Sequence, residues 1–406
     1  MASSAGLSHV AAVSFLAARV APTGSFWLSL AGGAAVAREA EVRGIRSGYA
    51  SSAAAMLETV AIVGPLRLNA PLTQAVSAPL LGAMQARGRR PWAQFLACLA
   101  IRLVHYAVLT GFTVLILLGP KAYAGTYRTL FSWIPFLPRG LEGALILTAI
   151  GNVLFAIVFS AIQTGFCRHA LAGWIDRTPE ESEPRRSLPA EPLQVAGTDP
   201  RIALLAATLV TLVLLFSHSW IVLAAVAAWL AAAATMARYR DREVLRVGLV
   251  LALVVAAGTL AASLIGGLGA DEAASRAVRA ALLVMVPTWL RLAAGTEGLR
   301  EVFRRMLLRV RRVPGAVQAG EILSELDSGA LLTASAKSLR DRLRGVAAGP
   351  MEIANAVLGW AAQEAQSLPV HEPRPVSQLR LRPRDATLVV SVLLPASALA
   401  VVLVAS

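Results

Sequence analysis

Long apolar blocks separated by short basic connections make up most of the chain. Residues 7–21 and 25–37 are two short apolar runs split by Pro22-Thr23-Gly24, and residues 51–64 and 70–85 form a second pair turning at Gly64-Pro65. Each run is shorter than the roughly 20 residues that a helical membrane crossing needs. The first pair therefore reads as two short tilted helices or one broken one. Residues 92–118 and 141–171 are long enough to cross. The connection between them carries Tyr123, Tyr127, Phe131, Trp133 and Phe136, the aromatic character of an interfacial layer, here the external one. Arg38, Arg43 and Arg46, then Arg87, Arg89 and Arg90, follow alternate turns of the chain, which places those connections inside the cell. Six crossings with both ends inside are predicted for residues 1–175.

Residues 176–200 are polar and rich in proline (Pro179, Pro184, Pro189, Pro192, Pro200), the one obvious domain boundary. A second membrane region of four crossings follows over 201–294: runs 202–216 and 221–236 turn at Ser217-His218-Ser219, then come runs 247–268 and 280–294. Residues 295–384 are too rich in Arg, Asp and Glu to lie in lipid. They contain three amphipathic segments, near 296–313, 317–344 and 351–368, stopped by Pro314-Gly315, Gly345 and Pro369. Leu299, Val302, Phe303, Met306, Leu307 and Val310 mark the apolar face of the first. A last apolar stretch, within 385–406, goes out again. The expected fold is all-α and polytopic, with about eleven transmembrane helices and a cytoplasmic amphipathic region before the last.

Composition agrees with this pattern. The 406 residues are 56 % hydrophobic and only 15 % charged, with mean hydropathy +0.64, whereas soluble domains carry about 25 % charge. The net charge of +14 lies in the connections between apolar runs, as the positive-inside bias requires, and needs no nucleic-acid partner. Cys98 and Cys167 lie in separate apolar runs without metal-ligand or redox spacing, so they read as packed thiols. The chain has no phosphate loop ending in Gly-Lys-Ser/Thr, no His-Glu-x-x-His and no Gly-x-Ser-x-Gly. No cofactor or metal is expected in this chain, nor a catalytic role.

Polar residues inside the first six runs do need a reason. Glu58 lies mid-run, Arg102 and His105 share a helix face at i and i+3, and Asn152, Gln163 and Thr164 lie in the sixth run. A charge at mid-membrane depth costs about 2.5–3.5 kcal/mol on insertion scales and usually faces a cavity or a partner. Two readings stay open. Glu58, Arg102, His105 and Asn152 could line a solute site, or Glu58 and Arg102 could form a pair that orients helices while Arg102 snorkels to the interface.

Val286-Pro287 leads into the charged block, and Arg380-Leu-Arg-Pro-Arg-Asp385 leads out of it into the last run. In this order of parts, residues 201–406 resemble the transmembrane T component of energy-coupling factor transporters. The resemblance implies that the charged block is a set of coupling helices whose Arg-containing ends plug into two ATP-binding cassette ATPase subunits. The matching positions are Val310-Arg311-Arg312 and Leu343-Arg344-Gly345; the second keeps Arg-Gly, and neither keeps the preceding Ala of the family motif. Residues 1–175 are similar in number and orientation of spans to a substrate-binding S component. ATP would then be bound by partner subunits, and the chain would serve small-solute uptake across the plasma (inner) membrane. Alternatives are a membrane scaffold whose basic block holds anionic lipid or another soluble partner, and a membrane enzyme built on Glu58, Arg102 and His105.

Overall fold

The computed structural model describes residues 2–20, 25–64, 69–134, 140–174, 198–217, 219–236, 242–326, 330–344, 350–367 and 383–405. Described regular structure is entirely helical: α1 (Ser4–Val20), α2 (Ser25–Arg43), α3 (Ile45–Val63), α4 (Asn69–Ala86), α5 (Pro91–Phe112, continued by a π-helical turn over Thr113–Leu118), α6 (Pro120–Leu130) and α7 (Leu141–Ala172) come first. They are followed by α8 (Pro200–Phe216), α9 (Trp220–Met236), α10 (Arg242–Ile265), α11 (Ala270–Arg309), α12 (Ala316–Glu325), α13 (Ala330–Arg344), α14 (Pro350–Ser367), α15 (Pro383–Ser391) and α16 (Leu393–Ala405).

Five stretches are long and apolar enough to cross a membrane: Pro91–Leu118, Leu141–Ala172, Arg242–Ile265, Ala270–Arg309 and Asp385–Leu403. Three further apolar helices are shorter, Ser4–Ala18, Pro200–Phe216 and Trp220–Thr235. The long ones expose large apolar side chains; Leu115, Leu154 and Leu253 are 68 %, 60 % and 68 % exposed. Surfaces of that kind need an apolar surrounding, and the helices satisfy their own backbone as lipid demands. Their length and exposed apolar surface suit these helices to a membrane. α2, α3 and α4 are not among these apolar stretches. Their apolar residues are mostly alanine, and they carry Arg38, Glu39, Glu41, Arg43, Glu58 and Gln74, which lowers their hydropathy below that of a span.

The helices gather into two compact units that are discontinuous in sequence. The first holds residues 1–102, 156–194 and 300–377; the second holds 103–155, 195–299 and 378–406. In the first, α1–α4 pack closely through alanines: Ala11, Ala12, Ala31, Ala34, Ala35, Ala37, Ala54 and Ala78 are buried. A Cβ on Gly82 of α4 would fall on the Ala37 carbonyl of α2, so this crossing exists only because residue 82 lacks a side chain. The amphipathic region lies on the same unit. α12 packs on α3, while α13 and α14 pack on α1, and α14 also reaches α2. Their buried faces are Ile322, Leu323 and Leu326, then Leu339, then Val357, Trp360 and Ala361, at the spacing of apolar helical stripes.

In the second unit α6 lies along α10, with the Thr126 hydroxyl donating to the Ala262 carbonyl at 2.7 Å. α9 packs on α8 and α16. The Trp229 indole N–H donates to Ser391 Oγ at 3.0 Å, and its ring meets Trp289 edge-on with centroids 4.9 Å apart. Asp199 caps α8, accepting from the Arg201 backbone N–H at 2.9 Å.

Candidate functional site

The amphipathic region begins where α11 changes character. From residue 280 to residue 294 that helix is largely apolar; at Gly295 the backbone takes φ +68° and a kink separates it from a basic final segment. Glycine alone adopts this conformation at little cost. Five residues on, Arg300 turns inward. Its Nε donates to Glu58 Oε2 at 2.7 Å and its Nη2 to Glu58 Oε1, a bidentate pair with Arg300 4 % and Glu58 0 % exposed. Such a pair attaches the helix firmly in register, because leaving either charge alone in the interior is costly. α12 is held to α3 in a second place, where Gln318 Nε2 donates to Ser47 Oγ at 2.8 Å and Ser47 in turn donates to the buried Glu39. Arg43 and Ser4 also give hydrogen bonds to Glu39.

Between these two attachments, residues 310–315 form a turn that is exposed as far as Pro314. Val302 and Phe303 are buried, but Met306, Val310 and Val313 are 51 %, 47 % and 52 % exposed. Arg311 and Arg312 are exposed beside them. An apolar patch next to two arginines, on a segment tethered by a buried ion pair, offers a rigid contact surface whose guanidinium forks suit carboxylates and carbonyls. Arg344 is the last residue of α13, and Gly345 lies outside the described residues.

The solute candidates divide between the two units. Glu58 and Arg102 belong to the first, His105 and Asn152 to the second. Glu58 has Arg300 as its partner. Arg102 lies on α5 and is 5 % exposed. Its Nη2 donates to Gln163 Oε1 at 2.7 Å, the same oxygen that the Cys98 thiol approaches at 3.1 Å. Gln163 Nε2 donates to Ser77 Oγ at 2.6 Å, and the Ser77 hydroxyl donates in turn to the Thr73 carbonyl. The ring of Phe159 lies 5.8 Å from the guanidinium carbon, within cation–π range. Asn152 Nδ2 donates to Thr110 Oγ1 at 3.1 Å in an apolar cleft of about 530 Å³ between α5 and α7. His105 is half-buried, with its ring near Tyr106.

Two partners are not identifiable as such from the sequence. Arg300 reads as one of many arginines on a polar helix face, with nothing to mark it as buried. Ser77 is one serine among many. Gln163 stands out as a polar residue within an apolar run, and that signal does point to the network. No protein-family model matches the chain, and no curated protein or solved structure matches it either.

Proposed function

We propose that this chain is the transmembrane subunit of an ATP-driven small-solute uptake system of the energy-coupling factor kind, residing in the plasma membrane with about eleven crossings. ATP would be hydrolysed by separate cassette ATPase subunits docked on residues 296–368. The exposed patch of Met306, Val310, Arg311 and Val313 on a segment fixed by Glu58–Arg300 carries the reading. A lever needs a free tip for the partner and a stiff attachment to the body it moves, and this region has both. Arg311 and Arg344 are the proposed ATPase contacts, and Arg102 the proposed contact to solute.

The test is co-purification of an ATPase subunit encoded beside this chain. Wild type is expected to retain it, Arg311→Glu to weaken retention by about tenfold or more, and the Arg311→Glu, Arg344→Glu double variant to abolish it. Unchanged retention in the double variant would end the coupling reading. The same exposed tip also suits a scaffold holding a different soluble protein; retention of a partner without nucleotide-hydrolysing activity would favour that second reading.

A further inference from the structure

Arg102 is the twelfth residue of a 28-residue apolar stretch, Pro91–Leu118. At 1.5 Å rise per residue it lies roughly 16 Å along the helix from Pro91, near the middle of a hydrocarbon layer about 30 Å thick. A guanidinium cannot shed its proton as a buried lysine can. Yet its hydrogen-bond acceptor here is the neutral amide oxygen of Gln163, and no carboxylate within salt-bridge distance is found among the described residues. Its Nε is buried without a partner. Two hydroxyls on the neighbouring stretch of α7 are buried: Thr164 Oγ1 has no partner among the described residues, and Ser160 meets only the sulfur of Cys98. They bracket Gln163 at helical spacing, so all three project from one side of α7. A full positive charge whose partners on two adjoining helices are all neutral lacks its counter-charge, and desolvated cations are retained in proteins when something anionic completes them.

We infer that Arg102, Ser160, Gln163 and Thr164 form a binding site for a small oxyanion, a carboxylate or phosphate group. This deepens the proposed function by naming the solute's chemical class, and rests on that reading for its transport meaning. The oxyanion chemistry is shared by a free solute and by the headgroup of an anionic lipid, and the experiment separates them.

The full-length chain is placed in phosphatidylcholine nanodiscs, and binding of radiolabelled inorganic phosphate and acetate is measured by equilibrium dialysis. A parallel set in phosphatidylglycerol nanodiscs is followed by thermal unfolding. Saturable binding of either free anion is expected, weakened by about tenfold or more in Arg102→Gln. The second variant, Gln163→Glu, supplies a carboxylate of the same shape from within. It is expected to remove anion binding while raising the unfolding temperature of the anion-free protein, which also shows that the fold survives. Stabilisation by phosphatidylglycerol alone, lost in both variants, would assign the oxyanion to lipid and still uphold the site. The inference is overturned if neither source binds, or if binding is undiminished in both variants. ATPase co-purification by the wild-type chain, scored on the same preparations, tells that failure apart from failure of the coupling reading.

Discussion

Glu58 combines complete burial with a bidentate partner, and the balance of those two effects sets what its removal does. The pair itself gives little net stability, because both charges were taken out of water to form it. Glu58→Ala leaves Arg300 buried and short of its carboxylate, and is expected to destabilise the fold by about 3–5 kcal/mol. Replacing both residues by Met should recover most of that loss, as read by chemical unfolding in detergent; a double variant no better than the single would show that the pair itself stabilises the protein. Asp199 makes a pH-dependent contribution. Burial pushes its carboxyl up, but the Arg201 guanidinium and the backbone N–H groups of Arg201 and Ile202 outweigh burial and hold it below the usual carboxylate range. Its folded value is depressed, so its stabilisation is present above the unfolded value of about 4 and fades as pH falls through the folded value. The gap in unfolding temperature between wild type and Asp199→Asn is expected to be constant from pH 7 to about pH 5 and to close below about pH 4. A gap that widened in acid would contradict the assignment. At this scale the sequence is informative about polarity and silent about partners. Glu58, Arg102, Gln163 and Asn152 stand out because a polar group in an apolar run is costly. That Glu58 meets Arg300, 242 positions away, is a tertiary fact that no local spacing carries.

Helices and their stops are legible wherever periodicity and breakers coincide. The segment near 351–368 is found as α14, Pro350–Ser367, and the turn at Pro314-Gly315 does separate α11 from α12. The short N-terminal runs read as apolar because alanine counts as apolar in any pattern. In α1–α4 alanine and glycine also let backbones approach, and serines and Glu39 bond across the contact. Close approach gives an expectation with opposite signs at two glycines. Gly82→Ala places a methyl on the Ala37 carbonyl and is expected to cost about 1–3 kcal/mol. Gly111→Ala meets nothing within 4 Å and should be neutral or stabilising by up to about 1 kcal/mol. Thermal unfolding of the two variants side by side checks this, and equal effects would mean that α2 and α4 are not in backbone contact.

For the molecule as a whole, the division by contact falls elsewhere than the division by polarity. Polarity along the chain separates 1–175, 201–294 and 295–384, whereas packing joins the N-terminal helices to residues 300–377. The reason is that amphipathic helices must cover their apolar stripes, and α12–α14 do so on α1, α2 and α3. What remains outward is the charged face of α13, with Lys337 and Arg340, and the turn with Arg311 and Arg312. The proposed function requires this outward surface to face the cell interior, where ATPase subunits are found. Its most direct test is labelling of the Lys337→Cys variant by a membrane-impermeant maleimide, with little background because Cys98 and Cys167 are both buried. No labelling is expected in intact cells, and full labelling once the membrane is opened. Labelling of the introduced thiol in intact cells would place this surface outside and contradict the proposed function.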